Sequence, residues 1–269
     1  MTKSTVSEEG CDVVRNLHVA RRGHVLYLTI AREERHNALS RATIAEIGET
    51  FARHAADETI LAAVLRGAGE KSFAAGGDIR DLEAVRTLEE AAGMSTDTRR
   101  AFDRIRDFPV PVIAAINGNA LGGGAELAAA CDLRVGAAHA RIGFIQGRMG
   151  LTTAWGGGLD LCSIVGFQKA LWLTLSGEIL NGHDALQAGL LDALAGDGET
   201  LEDALERILA PLLSQPRIVL ASFKALNRAA RLGLGRDELE TQETALFGRS
   251  WVSDAHWQAV EAFNARRKA

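Results

Sequence analysis

Two glycine-rich segments, 73–79 (FAAGGDI) and 117–127 (NGNALGGGAEL), constrain the fold of this chain more than any other feature. Each follows a short apolar run and precedes a helix-type pattern, so each reads as a strand-to-helix turn with its backbone left bare. The apolar, partly β-branched runs 24–30 (HVLYLTI), 61–67 and 112–117 read as strands. Between the first two, Ser40 is a good N-cap, and Ile44, Ile47 and Phe51 follow along one helical face. Strands alternating with helices through the first two thirds of the chain predict an α/β fold whose helices cover the sheets.

The texture changes after about residue 163. Segments 200–213, 217–232, 237–247 and 251–266 all carry helical periodicity. Thr200 can cap the first, and Leu201, Leu205, Ile208, Leu209 and Leu212 form a wide apolar stripe on it. The expected organisation is therefore a core over residues 1–199 and a helical region over 200–269 suited to an oligomer contact. No fixed-period repeat, low-complexity block or Pro-rich linker divides the chain.

Composition narrows the function classes. Thirty basic and thirty-five acidic residues give a net charge of −5, which provides no electrostatic footprint for nucleic acid or an anionic bilayer. Cys11, Cys131 and Cys162 are widely separated and make no C-x-x-C pair, so reduced thiols are expected and neither zinc nor a disulfide framework is indicated. The seven histidines show no metal-binding spacing. The polar N-terminus lacks the apolar core of a signal peptide and no run is long enough to span a bilayer, so a cytoplasmic location is expected.

Free N–H groups at a helix start carry partial positive charge, so either glycine segment can hold an anion or oxyanion, and together they can supply one donor each. Either one alone is also explained by a tight turn. Neither is a phosphate loop, since the spacings of both nucleotide fingerprints are absent.

The segments 30–40 (IAREERHNALS), 71–82 (KSFAAGGDIRDL) and 111–132 (PVIAAINGNALGGGAELAAACD) resemble, in order, three landmarks of the crotonase (enoyl-CoA hydratase/isomerase) superfamily. The resemblance implies a spiral of ββα units and a substrate that is a coenzyme A thioester, with no tightly bound cofactor. It implies that the Gly77 and Gly123 N–H groups bind the thioester oxygen, and that Ala75 and its neighbours, Gly77 among them, meet the coenzyme through backbone atoms. Residues 261–269 (EAFNARRKA) are similar to the family's end, where Phe263 and Arg266 match an aromatic and a basic residue that reach the coenzyme of a neighbouring subunit. A homotrimer or dimer of trimers is implied as well.

Glu126 lies one helical turn beyond Gly123, so its carboxyl group can rise beside the same ligand atom as an acid/base. Family hydratases pair this glutamate with a second one, and the alignment of 141–158 (RIGFIQGRMGLTTAWGGG) puts Gln146 there. A carboxamide orients water but cannot donate and recover a proton at neutral pH. Trp155, where many relatives carry a small residue, is expected to reshape the acyl pocket unless it is a plain core residue. Both departures are similar to the ethylmalonyl-CoA and methylmalonyl-CoA decarboxylase-like branch. Loss of carbon dioxide from a 2-carboxyacyl thioester leaves an enolate needing one protonation, so decarboxylation is placed ahead on chemistry. Hydration or isomerisation of an enoyl-CoA is what the family resemblance implies first. Arg148 is a weak candidate for a substrate carboxylate. A catalytically silent protein that binds RNA or another protein is the alternative from a different class.

Overall fold

The computed structural model describes residues 9–267, with side chains from residue 15 onward. Its strands are β1 (Glu9–Val14), β2 (Leu17–Arg22), β3 (Val25–Ile30), β4 (Ala62–Gly67), β5 (Ser72–Ala74), β6 (Val112–Ile116), β7 (Asn119–Leu121), β8 (Leu133–Gly136), β9 (Arg141–Gly143), β10 (Leu180–Asn181) and β11 (Ala193–Leu194). Its helices are α1 (Arg41–His54), α2 (Ile79–Leu82), α3 (Leu88–Arg106), α4 (Gly123–Ala130), α5 (Gly157–Val165), α6 (Phe167–Ser176), α7 (Gly182–Gln187), α8 (Leu201–Leu213), α9 (Arg217–Arg231), α10 (Arg236–Trp251) and α11 (Asp254–Arg266).

Two sheets form. The larger runs β1-β2-β3-β4-β6-β8-β11 and the smaller β10-β9-β7-β5. From β4 onward the chain repeatedly lays one strand in the large sheet, the next in the small sheet, and then a helix: β4 and β5 lead to α2, β6 and β7 to α4, β8 and β9 to α5. This is the expected α/β spiral of ββα units. Strands β3, β4, β6 and β8 are parallel neighbours and almost wholly apolar, as strands covered on both faces must be.

The three predicted strands and the helix capped by Ser40 are present, and the Ser40 side chain accepts from the Thr43 N–H. One prediction needed correction. Residue 251 does not begin a helix: α10 runs to Trp251, and α11 starts after Ser253, whose side chain accepts from the His256 N–H. Strand β6 precedes the second glycine segment as expected, and the segment itself contains the three-residue β7, too short for period-2 patterning to reveal. Thr200 and Asp203 form the capping box of α8. Leu201, Leu205 and Leu209 of that helix join the core and α9 buries Leu220, Lys224 and Ala229, whereas α10 and α11 bury no residue, so the helical region divides by packing after α9.

Buried asparagines hold the turns around the first glycine segment. Asn37, in the left-handed region at φ 53–56° with His36, donates from Nδ2 to Ala68 O and Ser72 O at 3.0 and 2.7 Å. Asn117 accepts from Gly67 N at 2.9 Å and donates to Gly69 O at 2.6 Å. The backbone polar groups of the β4–β5 turn, which would otherwise be buried unpaired, are thereby satisfied. Cys131 is buried, where burial pushes its thiol up to about 12, and Cys162 is half-buried; neither is in a disulfide. The Cys11 side chain lies outside the described residues. Among the described residues no helix is long and apolar enough to cross a membrane, and no acidic, His or Cys cluster could hold a metal.

Candidate active site

Leu39 and Gly77 form an isolated parallel bridge: Leu39 N donates to Gly76 O at 2.8 Å, and Asp78 N donates to Leu39 O at 3.0 Å. Because peptide groups alternate along an extended strand, the Gly77 N–H is turned away from this bridge, and it has no hydrogen-bond partner among the described residues. Gly123 opens α4 after Gly122, whose φ of 52° suits glycine. The Gly123 N–H is one of the unpaired donors at the helix start and also has no partner among the described residues. All eight residues of α4 are buried, so its dipole is poorly screened by water.

The two segments meet. A Cβ built on Gly76 would sit 3.7 Å from Gly123 N, and one on Gly124 only 1.9 Å from Ala74 O, so the main chains of the two glycine turns touch directly. The indole of Trp155 lies against both: a Cβ on Gly77 would come 3.3 Å from its Cη2, and one on Gly123 2.0 Å from Cζ3 and 2.7 Å from Cη2. Trp155 is 6 % exposed and packs edge-on against Phe102 with centroids 5.8 Å apart, so it belongs to the core and borders the site at once.

Glu126 is 2 % exposed. Its Oε1 accepts from Gln146 Nε2 at 2.9 Å, and its Oε2 accepts from Trp155 N at 2.9 Å and Gly157 N at 3.0 Å. Burial pushes the carboxyl pKa above the usual glutamate range, and the backbone donors of Trp155 and Gly157, with Gln146, oppose part of that rise. The Oε1 of Gln146 is buried and has no hydrogen-bond partner among the described residues. Gly157 has to be glycine, because a Cβ there would stand 2.4–2.6 Å from Cγ, Cβ and Cα of Glu126. The cradle formed by Trp155 N and Gly157 N was not anticipated from the sequence. Its signal was available in the glycines 156–158 that open α5.

The remaining expected residues are placed differently. The Ala75 N–H donates to His36 O at 3.1 Å, so an interaction through that donor is closed and only its carbonyl remains for a ligand. Arg148 is exposed and lies against Gly177, at the end of α6. Phe263 is 60 % exposed on α11, with the Arg267 guanidinium 5.9 Å from its ring centroid, and α11 packs chiefly on α10. Phe263 and Arg266 are thus not gathered with Gly77 and Gly123 by the packing of one chain.

Beside Gln146 opens a cavity of about 520 Å³ lined by Phe144, Leu151, Cys162, Phe167 and Leu171 among others, with no charged side chain. A larger groove, about 950 Å³, runs between α9 and α10 and does not include the glycines.

The sequence profile described as "Enoyl-CoA hydratase/isomerase" matches residues 20–269. A short-chain-enoyl-CoA hydratase from Clostridium acetobutylicum is 32% identical over 255 residues, covering 95% of this chain and 97% of the relative. A 2,3-dehydroadipyl-CoA hydratase from Escherichia coli is 32% identical over 93% of this chain and 96% of its own. The crystal structure of an enoyl-CoA hydratase from Bacillus anthracis superposes with a TM-score of 0.87 at 26% identity, covering 94% of this chain and 97% of that one.

Proposed function

The chain belongs to the enoyl-CoA hydratase/isomerase family, and on that premise we propose that it adds water across the 2,3 double bond of an enoyl-CoA thioester. The thioester oxygen lies between the N–H groups of Gly77 and Gly123, which stabilise the enolate by about 3 kcal/mol for each donor fixed in advance. Glu126 takes a proton from water as the oxygen of that water bonds to C3, and returns the same proton to C2 as the enolate collapses. One carboxyl group therefore performs both transfers. The Gln146 carboxamide oxygen accepts a hydrogen bond from the water and orients it.

The observation that carries this reading is the pairing of two backbone donors, without partners among the described residues, with one buried carboxyl group beside them whose pKa burial raises. The uncharged cavity next to Gln146 supports an apolar acyl group. Ala75, through its carbonyl, is assigned to the coenzyme, and Phe263 and Arg266 to the coenzyme of a neighbouring subunit in a homotrimer. Hydration stands ahead of decarboxylation because the relatives above are named hydratases and the cavity offers no cation for a second carboxylate.

Gln146 favours a second reading, decarboxylation of a short 2-carboxyacyl-CoA, in which carbon dioxide leaves and protonated Glu126 delivers one proton to C2. Purified protein incubated with crotonyl-CoA, methylmalonyl-CoA and ethylmalonyl-CoA separates the two. Formation of 3-hydroxybutyryl-CoA supports hydration; carbon dioxide release with inert crotonyl-CoA overturns it.

A further inference from the structure

One face of α3 grips the loop that cradles Glu126. Ser95, Arg99, Phe102 and Arg106 follow one another at spacings of four, three and four and so share a helical stripe. Ser95 Oγ donates to Ala154 O at 2.7 Å, and Arg99 Nη2 donates to the same oxygen at 3.3 Å. Phe102 meets the Trp155 indole. Arg106, 4 % exposed, donates from Nη2 to Trp155 O at 3.1 Å and from Nη2 and Nε to Asp160 Oδ2 at 2.6 and 3.0 Å. Asp160 lies in the first turn of α5, the helix that begins with the Gly157 N–H, and its Oδ1 accepts from Arg231 of α9 at 2.7 Å.

The peptide between Ala154 and Trp155 is bound at both ends. Its carbonyl takes the Ser95 hydroxyl, and its N–H donates to Glu126 Oε2 at 2.9 Å. A hydrogen bond to a carbonyl polarises the peptide and strengthens its N–H as a donor. We propose that α3 is a positioning element for the acid/base carboxyl group, in which the Ser95 hydroxyl sets the strength of the Trp155 donor and Arg106 fixes the loop carrying both donors. The inference rests on the role given to Glu126 above.

Few charges compete with this effect. The elements packed on α4 are α5, β7, α3 and β5. The two strands carry no charged side chain. From α3 the charged groups at the loop are Arg99 and Arg106, the latter paired with Asp103 at 2.9 Å, from α5 Asp160, and Arg231 closes the cluster from α9.

Ser95 is half-buried in a helix where alanine is the better helix former, so Ser95→Ala keeps the fold. Titration of the Glu126 carboxyl group by ¹³C NMR reads the effect without any turnover, and so separates this inference from the reaction assigned. Ser95→Ala is expected to move that titration to higher pH, carry the corresponding limb of the kcat/KM profile with it, and leave KM for the thioester within about two-fold. Ser95→Thr, which keeps the hydroxyl, restores the parent curve. Arg106→Gln is expected to lower kcat by about 10- to 100-fold at nearly unchanged KM. A Glu126 titration in Ser95→Ala superimposable on the parent's overturns the proposal, as does a rise in KM without any movement of the limb.

Discussion

The Gln146 carboxamide donates to one oxygen of Glu126 across 2.9 Å, while the other oxygen takes two main-chain N–H groups. A carboxylate at position 146 would replace this donor by a like charge at hydrogen-bond distance, and two carboxylates so close cannot both ionise. Gln146→Glu is therefore expected to destabilise the protein above the range where one carboxyl group stays protonated. Thermal unfolding from pH 5 to pH 8 should show the Tm deficit of the variant growing with pH, and a deficit independent of pH would contradict the arrangement.

Glu126→Gln is expected to reduce turnover by about 10²- to 10⁴-fold, the usual worth of a positioned acid/base, with thioester affinity largely kept. Its effect on stability should be opposite. Burial raises the folded-state pKa of Glu126, so its stabilising contribution is present while the group is protonated and is lost as pH rises through the folded pKa. The amide accepts the same two N–H groups, and Gln146 can turn its unpaired Oε1 toward the new NH₂. At neutral pH the variant should be more stable by on the order of 1 kcal/mol, and denaturant unfolding would reveal the reverse if the carboxylate were welcome there.

The two reactions call for opposite states of Glu126. Hydration begins with the carboxylate, so kcat/KM for crotonyl-CoA should rise with pH through an acidic limb lying above the ordinary glutamate range. Decarboxylation needs the protonated form and would fall through the same region. Steady-state profiles on both substrate types check the sign.

Gly123→Ala should be far more damaging than Gly77→Ala. The added methyl group meets the Trp155 ring at 2.0 Å in the first case, whereas in the second it meets Leu82 Cδ1 at 2.8 Å and the ring at 3.3 Å, and a leucine methyl can move aside. Since Gly123 is helical, alanine carries no backbone penalty there, so shrinking the ring should relieve the loss. A double-mutant cycle with Trp155→Leu is expected to show coupling of about 1 kcal/mol or more. Independent, additive effects would place the indole elsewhere.

The predicted parts of the fold were those governed by local rules. The apolar runs of β3, β4 and β6, the caps at Ser40 and Thr200, and the leucine stripe of α8 each follow from periodicity or capping within a few residues. Strands β5, β7 and β9 have three residues each, too few to carry a period, and they exist because they pair with one another. At the site, the spacing of Glu126 from Gly123 was readable within one helical turn. The cradle at Trp155 and Gly157, and the seating of the indole on two distant glycines, depend on contacts between remote segments, which no local pattern encodes.

The contact of Gly124 with Ala74 O joins the two donor-bearing turns through main-chain atoms alone. No rotamer stands between them, so the width of the gap that receives an oxygen is set by van der Waals contact of main-chain atoms rather than by side-chain conformation. Warming, or remodelling of the surrounding residues, should then alter how a thioester reaches the gap well before it alters the grip once the oxygen is there.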